Sequence, residues 1–75
     1  MRKDNEAIEI NFHKSLYPPK AIKNAIEVYK EVAKFSLKKE KRYIKVSISD
    51  VDRDLRSFIK DEFCNYVLFL IRAIL

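Results

Sequence analysis

The run from Asp50 to Leu75 constrains this chain more than anything else in it. It fills a third of the 75 residues and contains neither Pro nor Gly. Val51, Leu55, Phe58, Ile59, Phe63, Tyr66, Val67, Leu70 and Ile74 recur there at steps of three and four. At 3.6 residues per turn that spacing predicts one long helix with a continuous apolar face. A second stripe follows at i, i+4, i+7 and i+11: Cys64, Leu68, Ile71 and Leu75, with Phe69 beside it. Asp61, Asn65 and Arg72 are left as a polar strip along the rest of the helix. One apolar face can cover a small sheet. The other is surplus, and it predicts association.

Upstream, the pattern changes period. Residues 1–6 are polar and read as a tail to a single domain spanning 7–75. From Ala7, Ile8, Ile10 and Phe12 alternate with Glu9, Asn11 and His13, which predicts a half-buried strand. Pro18-Pro19 then punctuates the chain. Because Pro suits a helix's first turn, a helix of about four turns is expected from about Pro18. Its apolar face would be Ile22, Ala25, Ile26, Tyr29, Val32 and Ala33. Phe35 and Leu37 predict a second strand; Ile44, Val46 and Ile48 predict a third. The link between them has no Gly or Asn, so a primed two-residue turn is disfavoured and a loop of four or five residues is expected. Ser49 or Asp50 is placed to cap the last helix, with Asp52 and Asp54 near its positive end.

The order β-α-β-β-α predicts an α+β fold of two layers. A right-handed first crossover puts the third strand between the other two, giving a three-stranded antiparallel sheet of order 1-3-2. Both helices then cover the face carrying the eight alternating apolar residues. The plan is ferredoxin-like without its last strand, so the edge at Ile8 to Phe12 stays open. That edge is expected to pair with a symmetry mate or with an extended peptide.

Composition narrows the chemistry. The absence of glycine excludes Gly-dependent phosphate loops and the GXXG clamp of some RNA-binding domains. One Cys and one His cannot form a multi-ligand Cys/His zinc site or an internal disulfide, which points to no cofactor and a cytoplasmic setting. The charged N-terminal residues give no sign of a signal peptide. The apolar stretch from Tyr66 is interrupted by Arg72 and too short to cross a membrane. His13 and Cys64 are the residues that would suggest nucleophilic chemistry, but one ends a strand and the other sits mid-helix. The acids Asp50, Asp52 and Asp54 lack the Gly and distal Glu of a calcium loop. An enzyme is therefore not expected.

The net charge of +5 concentrates attention on Lys38, Lys39, Lys41, Arg42 and Lys45, which surround Tyr43. Cations interleaved with an aromatic ring are what a sheet-surface nucleic-acid binder needs. Tyr43 is the only ring expected on that strand face, however, and solvated Lys also protects strand edges. Nucleic acid is the alternative reading rather than the leading one.

Two short stretches carry a resemblance. Ser15-Leu16-Tyr17 followed by Ala21-Ile22 and Ala25, and Glu62-Phe63-x-Asn65, are similar to segments of the small HxsD proteins of His-Xaa-Ser peptide-maturation systems. The similarity covers about residues 8–66. It implies an accessory protein working beside a radical SAM enzyme and a small peptide, with Tyr17, Glu62 and Asn65 as matched positions. The leading expectation is thus a non-enzymatic interaction module. It either forms a homodimer through Cys64, Leu68, Phe69, Ile71 and Leu75 or binds a dedicated protein or peptide partner through them.

Overall fold

Period-two alternation builds the sheet as expected. In the computed structural model, which describes residues 7–74, strand β1 spans Ile8–His13, β2 Lys34–Lys39 and β3 Tyr43–Ser49. Helix α1 is Pro19–Tyr29 and helix α2 is Ile59–Ile74. The sheet order is β1-β3-β2 with β3 antiparallel to both neighbours. Ile10 pairs with Val46 and Leu37 pairs with the same Val46, so the apolar residues of all three strands fall on one face. The two helices cover that face, forming a small α+β domain.

The core is Ile10, Phe12, Ile44, Val46 and Ile48 from the sheet, closed by Ala21, Ile22 and Ala25 of α1 and Ile59, Phe63 and Val67 of α2. Phe63 is its centre. It has no exposed surface, and its ring lies 6.1 Å from Phe12, 5.9 Å from Tyr29 and 5.1 Å from Phe35 by centroid. One side chain therefore joins both edge strands to both helices. Ile8, Phe35 and Leu37 are only half-buried at the margins.

Helix α1 begins as the prolines require. Pro18 is extended (φ −63°, ψ 138°) and Pro19 occupies the first turn. The helix ends at Tyr29, nearer three turns than the four expected. Lys30 to Ala33 instead form a turn in which the Val32 N–H donates to the Tyr29 carbonyl at 3.0 Å. Ala33 is thereby buried, while Val32 is left 40% exposed. The β2–β3 link is also tighter than expected. Only Glu40, Lys41 and Arg42 lie between the strands, and the Glu40 N–H donates to the Tyr43 carbonyl at 2.7 Å. No residue there has positive φ, so the turn is not a primed type.

The largest correction concerns the start of the last helix. The expected single helix from about Asp50 is two pieces, and neither Ser49 nor Asp50 caps α2. Asp50 sits in the left-handed region at φ 53°, the only described non-glycine residue with positive φ. Asp tolerates that geometry better than most residues, because its short polar side chain can bond locally. The chain then winds through a 3₁₀ turn at Arg53–Leu55, with Leu55 N–H donating to Asp52 O at 2.9 Å and Phe58 N–H to Leu55 O at 3.1 Å. The first α-type bond there is Glu62 N–H to Phe58 O at 3.0 Å. Asp52 begins the 3₁₀ turn without a side-chain cap, and the acids in the first turn of α2 are Asp61 and Glu62. A 3₁₀ turn advances about 120° per residue against 100° in an α-helix. Val51 and Ile59 can therefore both be buried while Phe58 is turned outward.

Candidate functional site

Helix α2 touches its surroundings on three sides. Inward are Ile59, Phe63 and Val67. Towards α1, Tyr66 packs on Tyr29 at 5.8 Å and stacks on Phe69 at 5.8 Å. On this flank Phe58, Ile59 and Glu62 join Val28, Tyr29, Val32 and Leu55 around an apolar groove of about 340 Å³. Val28 is 56% exposed and Phe58 46% exposed at its rim. Burial, with Glu62 and Tyr66 adding to it, raises the Tyr29 phenol above its usual range.

The opposite flank carries Cys64 and Ile71. Both are half-buried and pack on the margin of the core. Burial pushes the Cys64 thiol up; Lys60 opposes that shift and Asp61 adds to it, the reverse of the lowering that activates a thiol. Ile26 of α1 lines a hollow with Phe35 and Leu37 of β2, so α1 lies beside β2.

Outward, α2 presents Leu68 (42% exposed) and Phe69 (60% exposed), with Asp61, Asn65 and Arg72 also exposed along the same side. Leu75 lies outside the described residues. The stripe read from the sequence is thus divided: Leu68 and Phe69 stand in solvent, while Cys64 and Ile71 sit partly against the core. Spacing alone does not reveal the groove: Val32 and Phe58 fit apolar helix faces, but each lies just outside a helix in the structure.

The β1 edge has a defined pattern of open groups. Lys14 N–H donates to Arg42 O at 2.9 Å, one step beyond the His13–Tyr43 pair. Antiparallel alternation then gives Ile8, Ile10 and Phe12 the bonds to β3 and turns the backbone of Glu9, Asn11 and His13 outward. The His13 carbonyl is already taken by the Leu16 and Tyr17 N–H groups, at 3.0 and 2.9 Å. Among the described residues nothing pairs with Glu9 or Asn11 on that side. The other edge, β2, carries Lys34, Lys38 and Lys39, which discourage strand pairing. Edge β1 is the less guarded of the two.

The hairpin end gathers the basic residues. Lys38, Lys39, Lys41 and Arg42 are exposed and Lys45 is half-buried, with Lys38 3.9 Å from Glu40. The β1–β3 register adds Lys14 and sets the His13 ring edge-on to Tyr43 at 5.2 Å. His13 Nδ1 is also 2.8 Å from Ser15 Oγ, a contact between exposed neighbours. The matched positions do not converge. Tyr17 packs on Phe12 at 4.9 Å beside the start of α1, Glu62 lines the groove with Tyr29 at its end, and Asn65 is in solvent.

Among the described residues no group of three His, Cys, Asp or Glu side chains is placed to hold a metal ion, and no helix is long and apolar enough to cross a membrane. Comparison with models of known protein families gives no match, and neither does comparison with curated proteins or with solved structures.

Proposed function

We propose that this chain is a non-catalytic interaction module that pairs with a second copy through α2 and keeps the β1 edge for an extended peptide of a partner. One observation carries the reading. After the core is filled and α1 is packed, α2 still holds Leu68 and Phe69 in solvent, with Phe58 a few turns away. Apolar side chains grouped on one element of so small a domain are characteristic of an association surface. An accessory role beside a peptide-modifying enzyme, which the resemblance to HxsD-type proteins implies, fits a module with one self-pairing surface and one strand edge. Sedimentation equilibrium up to high micromolar concentration tests self-association: a dimer is expected, and a monomer throughout overturns it.

The edge has its own test in amide hydrogen exchange. In the isolated protein the Ile8, Ile10 and Phe12 amides should exchange slowly, while those of Glu9, Asn11 and His13 exchange near solvent rates. Protection of both sets in the absence of any peptide would mean that copies pair through the sheet instead.

A second reading is favoured by where the charge lies. The chain has 16 Lys and Arg against 11 Asp and Glu. Lys14, Lys38, Lys39, Lys41, Arg42 and Lys45, with Glu40 the only acid among them, gather at the hairpin, and the remaining charges balance. The whole net charge thus sits at one end, beside Tyr43, as a single-stranded nucleic-acid platform would need. Replacing Lys39, Lys41 and Arg42 with Gln separates the two readings. Under the interaction reading, fold and dimer mass are unchanged and wild-type nucleic-acid binding is weak at physiological salt. Submicromolar binding with a steep salt dependence, lost in the variant, would establish the second reading.

A further inference from the structure

The exposed side of α2 carries opposite charges at its two ends. Asp61, Asn65, Leu68 and Arg72 follow steps of four, three and four, the spacing of a helix–helix contact seam. All four are exposed, and Phe69 runs alongside. The acid stands at one end of this seam and the base at the other, about 16 Å apart along the axis at 1.5 Å per residue. Neither makes an ion pair among the described residues. Asp61 lies in the first turn and Arg72 in the last, so each also offsets the dipole of its own helix.

We propose that α2 packs antiparallel on the α2 of a second copy, about a two-fold axis between Tyr66 and Val67. This rests on the self-association reading and names the contact. A two-fold axis at that point brings Asp61 to the partner's Arg72 at both ends of the seam simultaneously. It also sets Asn65 against the partner's Leu68, so the two Leu68 side chains flank the two-fold axis, about 4.5 Å apart along the helix at 1.5 Å per residue. An isologous contact must be self-complementary, and a seam with opposite charges at its two ends satisfies this only when the helices run antiparallel. In a parallel pairing Asp61 would face the partner's Asp61 and Arg72 the partner's Arg72. Antiparallel packing also opposes the two helix dipoles.

Charge exchange tests the arrangement. Asp61→Arg alone should place two cations at each end, and Arg72→Asp alone two anions. Each variant is expected to weaken dimerisation about tenfold or more, because two attractive pairs become repulsive. An equimolar mixture of the two single variants, and separately the double variant Asp61→Arg/Arg72→Asp, should return to within a few-fold of wild type. The double variant has both charges on the wrong helix ends for the dipole, so its recovery cannot come from helix stability; circular dichroism confirms that all variants are folded. If the wild type dimerises and neither single variant differs from it, this pairing is wrong while self-association stands. If the singles weaken but neither the mixture nor the double variant recovers, the two residues do not face one another. If the wild type is monomeric, self-association falls and this contact with it.

Discussion

Replacing Phe63 with Ala should leave the chain largely unfolded at 25 °C. The side chain is fully buried and touches Phe12, Tyr29 and Phe35, so no neighbouring ring can move into the vacancy without leaving its own place. Large-to-small changes of this kind cost about 3–5 kcal/mol. At roughly 0.05–0.15 kcal/mol per residue, a chain of this length has only about 4–11 kcal/mol to lose, and small domains sit at the low end. Phe63→Leu keeps most of the volume and should remain folded with a reduced urea midpoint. Urea denaturation followed by circular dichroism gives the answer. If Phe63→Ala keeps a cooperative transition within about 1 kcal/mol of wild type, the core does not depend on this ring.

Leu68→Glu and Phe69→Glu should do the opposite: keep the fold and abolish association. Both side chains are exposed, so monomer stability should change by no more than about 0.5 kcal/mol. In a two-fold dimer each substitution acts twice. It removes a contact worth about 1.5–3 kcal/mol per side chain and puts a carboxylate in its place. The dissociation constant should therefore rise by at least about a hundredfold. Sedimentation equilibrium against wild type reads this directly; a variant that dimerises as tightly as wild type would move the contact off α2. Ile71→Glu is not an equivalent probe, although it belongs to the same stripe in the sequence. It packs on the core margin, and a charge there would weaken the fold as well.

The difference between Leu68 and Ile71 shows what the sequence could reveal. Strands were legible because Ile8-Ile10-Phe12 and Ile44-Val46-Ile48 alternate, and a half-buried strand leaves no other interpretation. The order of the sheet followed from β-α-β-β connectivity. The beginning of α2 was not legible. Val51, Leu55, Phe58 and Ile59 fit a 3.6-residue period and also fit a 3₁₀ turn followed by a helix, because the two windings differ by only about 20° per residue. The left-handed backbone at Asp50 had no glycine to announce it. Because that boundary moved, Phe58 went from expected core to groove rim, and the groove itself could not be foreseen. At the other end of the molecule, charge clustering was half visible. Lys38 to Lys45 are adjacent in sequence, but Lys14 and His13 reach the cluster only through the β1–β3 register.

That register also orders events during synthesis. Lys39 and its partner Ile44 on β3 are neighbours in the chain, so the β2–β3 hairpin closes a very short loop. His13 must wait for Tyr43, thirty residues later, and Ile8 for Ile48. Loop closure over that distance is the slower, entropically costlier event. As the ribosome extends the chain, β1 and α1 emerge with no strand to receive them until Tyr43–Ser49 has been made. Until then the Ile8-Ile10-Phe12 segment has no strand of this chain to pair with on either side.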